Sequence, residues 1–186
     1  SPSKIAAAIK VGVFMCPKDR STNAVIPEFD ITDNLALPFF NRHSWFSFLK
    51  SKSLNENAKR AITKLGIKCQ SEKDSVTTLS GGNQQKVMVG RWLSETSEVL
   101  LLDEPFQGVD IKARRDIGHH IRSTAEDRAT LVFVAELDEA FEIADRIVVL
   151  HEGEMVGDFE NTQQNIPQIV SRFSGQMTTS KYYGTG

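Results

Sequence analysis

Two short runs of this chain carry residue types that could do chemistry. The first is Leu79-Ser80-Gly81-Gly82-Asn83-Gln84-Gln85-Lys86. A serine at a helix entrance caps the helix with its side-chain oxygen, and paired glycines let the backbone approach a bulky anion. The positive end of the helix that follows suits a phosphate. The second run is the apolar stretch Val99 to Leu102, which ends in Asp103-Glu104-Pro105. Such a strand delivers two carboxylates to a sheet edge. Asp103 suits a hydrated Mg2+, which takes oxygen ligands and keeps several waters. Glu104 could orient or deprotonate a water aimed at a terminal phosphate. No Gly-x-x-x-x-Gly-Lys-Ser/Thr cradle accompanies them, and no glycine is followed by lysine. The pattern therefore predicts work on a nucleotide that this chain does not hold alone.

The elements that must position these residues are legible in outline. Val11 to Cys16 reads as a short buried strand halted by Pro17, and residues 19–50 as irregular and rich in aromatics. Those aromatics, Phe39, Phe40, Trp45, Phe46 and Phe48, either pack a small subdomain or form a surface for a partner. Ala58, Ala61, Ile62 and Leu65 recur at helical spacing, and Gly66 is a good stop. Gln84 to Leu93 reads as helix. Val99 to Leu102 is a continuous apolar run, which predicts a strand buried on both faces. Asp110 can cap a helix carrying Ile111, Ile117 and Ile121. Leu131 to Ala135 reads as another buried strand, Asp138 to Ala144 as a short helix and Ile147 to Leu150 as a third strand. Glu154 to Phe159 can pair with that strand across a turn at Gly153. A closing helix is expected over Thr162–Phe173, started or kinked at Pro167, with a loose tail over 175–186. Strand–helix alternation points to an α/β fold with a mainly parallel sheet, whose chemistry gathers at the carboxyl ends of strands.

Composition narrows the classes. The 186 residues are 40% hydrophobic and 25% charged, with a net charge of −2, so no basic footprint favours nucleic acid. No clean apolar run is longer than Leu131–Ala135, well short of the roughly 20 residues of a spanning helix. Cys16 and Cys69 lie far apart and in no metal-ligand spacing, which predicts two reduced thiols. His119 and His120 are adjacent, so they face different sides of a helix and form no natural metal pair.

At these residues the chain resembles the ATPases of ABC transporters. Leu79 to Lys86 resembles their signature motif, and its Asn-Gln-Gln-Lys ending resembles the monosaccharide-importer branch. Val99 to Pro105 is similar to the Walker B strand with its catalytic glutamate, and Gly108-Val109-Asp110 to the D-loop. Pro17-Lys18-Asp19-Arg20 resembles the Pro-Glu-Asp-Arg element of that branch's second nucleotide-binding domain. The resemblance runs in order from residue 4 to about residue 160. It implies an incomplete P-loop NTPase fold: 1–16 ending an N-terminal core lobe, 17–95 a helical signature subdomain, 96–174 the rest of the RecA-like core. It implies ATP and Mg2+ as cofactors. Glu104 would be catalytic and Asp103 the metal ligand. Ser80, Gly81, Gly82, Asn83, Gln84, Asp110 and Lys18 would meet nucleotide, the signature residues acting on a partner domain's triphosphate. The implied partners are a second nucleotide-binding domain, transmembrane permease subunits and, indirectly, a sugar-binding protein. The implied place is peripheral, on the cytoplasmic face of the cell membrane.

Three departures shape the expectation. The phosphate loop would lie before Ser1, so this chain alone is expected not to hydrolyse ATP. Lys18 stands where the branch usually has glutamate; a cation there could pair with phosphate or with Asp103. Ala135 falls at the switch-histidine position and has no hydrogen-bonding side chain. The alternative is a non-hydrolysing half-site or interaction module that completes a partner's ATP site. A chromosome-organising ATPase shares both motifs, but the Asn-Gln-Gln-Lys ending and the lack of coiled-coil heptads argue against it.

Overall fold

A computed structural model describes residues 2–18, 25–42 and 48–180. The chain divides into two compact units, Ser1–Phe133 and Val134–Gly186.

The first unit opens with helix α1 (Pro2–Lys10), which the sequence reading did not anticipate, and strand β1 (Val13–Cys16). Gly12 joins them at φ +80, and a Cβ there would lie 2.9 Å from Glu98 Cγ and 3.1 Å from Glu98 N. Its carbonyl accepts from the amides of Glu98 and Val99, so the turn sets the register of the sheet. Strands β2 (Val99–Asp103) and β3 (Ala129–Phe133) complete a parallel sheet in the order β1-β2-β3. Phe14, Leu100 and Val132 point to one face and Met15, Leu101 and Leu131 to the other.

That sheet corrects two expectations. β2 is not buried on both faces: Leu100 and Leu102 are fully buried, while Val99 and Leu101 are half-buried. The strand expected over Leu131–Ala135 lies instead at Ala129–Phe133, and Leu131 and Phe133 are 50% and 43% exposed. An apolar run records what a strand can bury, not what covers it. Among the described residues of this unit only the Leu100 face is well covered.

The helical part packs around helix α2 (Ile31–Ala36), capped by Asp30, whose Oδ1 accepts from the Asp33 amide at 2.8 Å. A 3-10 turn (Leu37–Arg42) and helix α3 (Phe48–Leu65) follow, so α3 starts seven residues earlier than the Asn55 limit that apolar spacing suggested. Ile31, Leu35, Ala58, Ala61, Leu65 and Val87 form its core. Asn34 is wholly buried and acts as a clamp: its amide donates to the carbonyls of Ile26, Phe29 and Asp30 and its oxygen accepts from the Ile26 amide. The buried Arg91 guanidinium donates to the Asn34 carbonyl at 2.6 Å, and burial pulls its pKa down to about 10.

Phe39 belongs to the packing alternative. It is 3% exposed and its ring lies 5.2 Å from Phe14 and 6.0 Å from Trp92. The side chains of Phe40, Trp45, Phe46 and Phe48 lie outside the described residues, as do Asp19 and Arg20. Helix α4 (Gly81–Leu93) begins right after Ser80, and helix α5 (Ile111–Ser123) right after Asp110.

The second unit holds helix α6 (Leu137–Ile143), the hairpin β4 (Arg146–His151) and β5 (Glu154–Glu160), and helix α7 (Ile166–Ser180). β4 pairs antiparallel with β5 in a two-stranded sheet. Glu152 (φ 48) and Gly153 (φ 83) form the turn, both with the positive φ that tight hairpins need. Ile147, Val149 and Ile169 are its core, with Leu137, Phe141 and Phe159 against them. α7 starts at Ile166, four residues later than the Thr162 start expected. Pro167 is its second residue, where the missing amide proton costs no helical bond. Residues 175–180, expected to be loose, continue α7, because each residue added to an existing helix gains a bond without a new nucleation cost. Residues 181–186 lie outside the described residues. Among the described residues no helix is long and apolar enough to cross a membrane.

Candidate functional site

Every residue singled out for nucleotide chemistry lies in the first unit. Ser80 caps α4 in extended backbone (φ −61, ψ 156), and its Oγ accepts from the Asn83 amide at 3.4 Å and from Asn83 Nδ2 at 2.9 Å. Asn83 Oδ1 in turn accepts from the Lys68 amide at 3.0 Å. The loop before α4 and the first turn of the helix are thus tied through one side chain. Gln84 Nε2 folds back to the Leu79 carbonyl at 3.1 Å. Ser80 and Gly81 are exposed and Gly82 half-buried, so the positive end of the helix is open to an anion.

Gly82 is informative for what it does not need. Its φ lies outside the left-handed region, and a Cβ there would meet only the Ala113 Cβ at 3.6 Å, an ordinary contact. Neither its backbone nor its internal neighbours require glycine.

Asp103 closes β2, and Glu104 follows it in a turn at φ 48, an uncommon conformation for a residue with a side chain. The Glu104 amide donates to the Phe133 carbonyl at 2.9 Å and its carbonyl accepts from the Gln107 amide at 3.1 Å. Both carboxylates are half-buried. Lys18 Nζ lies 3.9 Å from Glu104 Oε1, so the cation meets Glu104 rather than the Asp103 that the sequence suggested as its protein partner. The carbonyl end of β1 and that of β2 are neighbours in a parallel sheet, which is why Lys18 reaches this turn. Asp110 caps α5: its Oδ1 accepts from the Ala113 amide at 2.8 Å.

Sequence reasoning passed over Gln85 and Lys86 as mere motif letters. Gln85 is fully buried, and its Nε2 donates to the Pro105 carbonyl at 2.8 Å. Lys86 is 4% exposed; its Nζ binds Asp116 Oδ2 at 2.7 Å and the Gly66 carbonyl at 3.1 Å. One signal could have found Gln85. It shares a helical face with Met88, Val89 and Trp92, all buried, so a polar residue there needs an internal partner.

Among the described residues no group of three or more His, Cys, Asp or Glu side chains could hold a metal unaided. Asp103 and Glu104 nevertheless fit Mg2+, which binds through one or two carboxylates while phosphates and water fill the remaining positions. The donor set suits a metal that arrives with a nucleotide. Ala135 is exposed in the turn before α6, and Glu136 occupies the cap position of that helix with no side-chain cap bond.

Comparison with known proteins bears on the origin of this arrangement. The chain is similar to the Arabinose import ATP-binding protein AraG of Chromohalobacter salexigens, 40% identical over 153 residues, which is 80% of this chain and 30% of the relative. It is 36% identical over 166 residues to the protein of the same name from Pectobacterium atrosepticum, covering 88% of this chain and 33% of that one. The chain thus spans about a third of the length of the curated relatives it matches. Among solved structures it is similar to the dimeric ATP-binding cassette MJ0796 in a post-hydrolysis state bound to ADP and Pi. The TM-score is 0.73 at 18% identity, over 87% of this chain and 68% of that one. It is also similar to the ATP-binding cassette MJ1267, with a TM-score of 0.69 at 20% identity, over 91% of this chain and 71% of that one. At such identities these two speak for the fold alone. The family description "ABC transporter" matches residues 4–107, more than half of the 186, and the chain accordingly belongs to the ABC transporter family.

Proposed function

We propose that this chain is part of the ATP-binding, ATP-hydrolysing subunit of an ABC importer for sugars. The observation that carries the reading is Gly82: the fold does not need a glycine there, whereas an anion pressed against the first turn of α4 does. Ser80, Gly81, Gly82 and Asn83 offer that turn to the terminal phosphates of a nucleotide cradled by another nucleotide-binding domain. Gln84 and Asp110 shape the edges of the same surface. Asp103 and Glu104 serve a second nucleotide, whose phosphate cradle is supplied by a segment with the Gly-Lys pattern that this sequence lacks.

Bound Mg2+ would supply charge neutralisation at the phosphates. Asp103 would hold it, and Glu104 would take up a proton from water or orient it, a role worth roughly 10²–10⁴-fold in rate. The name the relatives carry, Arabinose import ATP-binding protein, supports sugar as the cargo. Transmembrane permease subunits and a sugar-binding protein are the partners this reading calls for, with the chain on the cytoplasmic face of the membrane.

The Lys18–Glu104 contact favours a second reading. A carboxylate already facing an ammonium suits a half-site that completes a partner's ATP and does not hydrolyse its own. Two substitutions in the assembled importer separate the two. Glu104→Gln should cut ATP turnover about 100-fold or more in a hydrolase and be silent in a half-site. Ser80→Arg should abolish uptake under both, because it fills the anion's approach. Undiminished uptake by that variant would remove both readings.

A further inference from the structure

Gln85 stands between the two halves of this chemistry. It lies five residues past the Ser80 cap, roughly 7 Å along the axis of α4. Its side chain leaves the helix, is 0% exposed, and donates through Nε2 to the Pro105 carbonyl at 2.8 Å. Its Oε1 is buried and has no hydrogen-bond partner among the described residues. The alternative orientation of the amide would set Oε1 against the carbonyl oxygen, so the single bond to Pro105 decides how the group sits.

The backbone that Gln85 grips is the one that aims Glu104. On one side the Glu104 amide is held by the Phe133 carbonyl at the end of β3. On the other, the Pro105 carbonyl is held by Gln85. Between these anchors Glu104 keeps its uncommon φ of 48. The neighbouring Lys86 pins the same helix turn to Asp116 and to the Gly66 carbonyl, so α4 has little freedom to roll without moving the Pro105 carbonyl. An α-helix is stiff over this distance. A shift of its first turn as a phosphate closes on Ser80 and Gly82 therefore reaches the carboxylate turn.

Resting on the reading above, we propose that Gln85 is a positioning residue that couples the anion-binding end of α4 to Glu104. Through it, engagement of one nucleotide by Ser80–Asn83 sets the aim of the carboxylate that serves the other.

Gln85→Met tests this in the ATP-hydrolysing assembly that contains the chain. Methionine keeps the length and burial but cannot donate, and it removes the unpaired oxygen as well as the bond. The expected result is a kcat about tenfold lower, a KM for ATP within twofold of wild type and a melting temperature within a few degrees. A purely structural role would lower the melting temperature along with kcat. Hydrogen exchange gives a readout apart from turnover. In the wild type, added ATP should slow exchange at amides 81–86 and at those of Glu104 and 106–108 together; in Gln85→Met it should slow only the first group. A variant with wild-type kcat, or one in which both groups still respond together, overturns the proposal. If the variant does not fold, wild-type amides of Glu104 and 106–108 that ignore protection of 81–86 overturn it equally. Glu104→Gln is measured alongside: if it retains full turnover the hydrolase reading fails and this proposal with it. If it is inactive while Gln85→Met is unaffected, only the proposal fails.

Discussion

Lys18 Nζ and Glu104 Oε1 lie 3.9 Å apart, the lysine side chain 52% exposed and the glutamate 19%. The pair joins the loop after β1 to the turn after β2, whose carbonyl ends lie side by side. Exposed pairs of this kind contribute at most about 1 kcal/mol. The contact can therefore bias Glu104 but not lock it. Lys18→Gln should raise ATP turnover of the assembled protein about two- to fivefold and make it less sensitive to salt. Stability should be unchanged within about 0.5 kcal/mol, because the site is at the surface. A tenfold loss of turnover instead would show that the ammonium serves a phosphate and not the carboxylate.

Gly82 offers a test in which stability and function part company. Gly82→Ala finds only an ordinary contact with Ala113 and no backbone strain. It should stabilise the first unit by about 0.5–1 kcal/mol, the usual gain of alanine over glycine in a helix. The added methyl group meets whatever approaches the helix end, so ATP-driven transport should fall. Chemical denaturation and transport assays on the same variant check both signs. Unaltered transport would make this glycine incidental.

Lys86 and Asp116 form a largely buried ion pair in the first unit, at 2.7 Å with side chains 6% and 29% exposed. Among the described residues, Lys86→Met leaves Asp116 with the exposed Lys112, 3.8 Å away, as its one cation, and frees the Gly66 carbonyl. Removing one partner of a buried pair is costly, here roughly 2–4 kcal/mol given that Asp116 is partly solvated. Adding Asp116→Leu should recover much of the loss. Urea midpoints of the single and double variants decide it, and strictly additive losses would argue against the pairing.

His120 makes stability depend on pH. It is 7% exposed on α5, and burial, then the charges of Lys64, Arg128 and His119, push its pKa down to about 4 from 6.5. The folded chain therefore prefers the neutral ring. That contribution is fully present above pH 6.5 and is lost as pH falls from about 6.5 towards 4. About 2 kcal/mol of stability should disappear across that window, after allowance for solvent screening. His120→Leu should flatten this part of the curve, whereas replacing the exposed His119, the smallest of these causes, should change it only slightly. Thermal melts between pH 4 and 7.5 supply the comparison.

Cys16, one of the two thiols expected to be reduced, is more deeply buried than a surface thiol would be. It is 0% exposed, and burial raises its pKa to about 12. Local sequence was enough for such outcomes wherever a short-range rule governs. Ser80 and Asp110 cap helices because a side-chain oxygen two or three residues ahead of an orphan amide has few other options. Glu152-Gly153 turns because the hairpin demands positive φ and glycine supplies it at no cost. Asp103 and Glu104 end a strand because an apolar run must stop somewhere and carboxylates prefer the wet edge. None of this needed a distant partner. Long-range packing decided the rest. Composition could not tell that β2 would have one well-covered face and β3 no fully buried residue, since cover comes from elements far along the chain. It could not tell that Lys18 would meet Glu104 and not Asp103, because a single residue of offset turns a side chain to the other side of a strand end. And it gave Gln85 no role, because an amide and a carbonyl twenty residues apart become partners only once helix α4 is packed against the turn that follows β2.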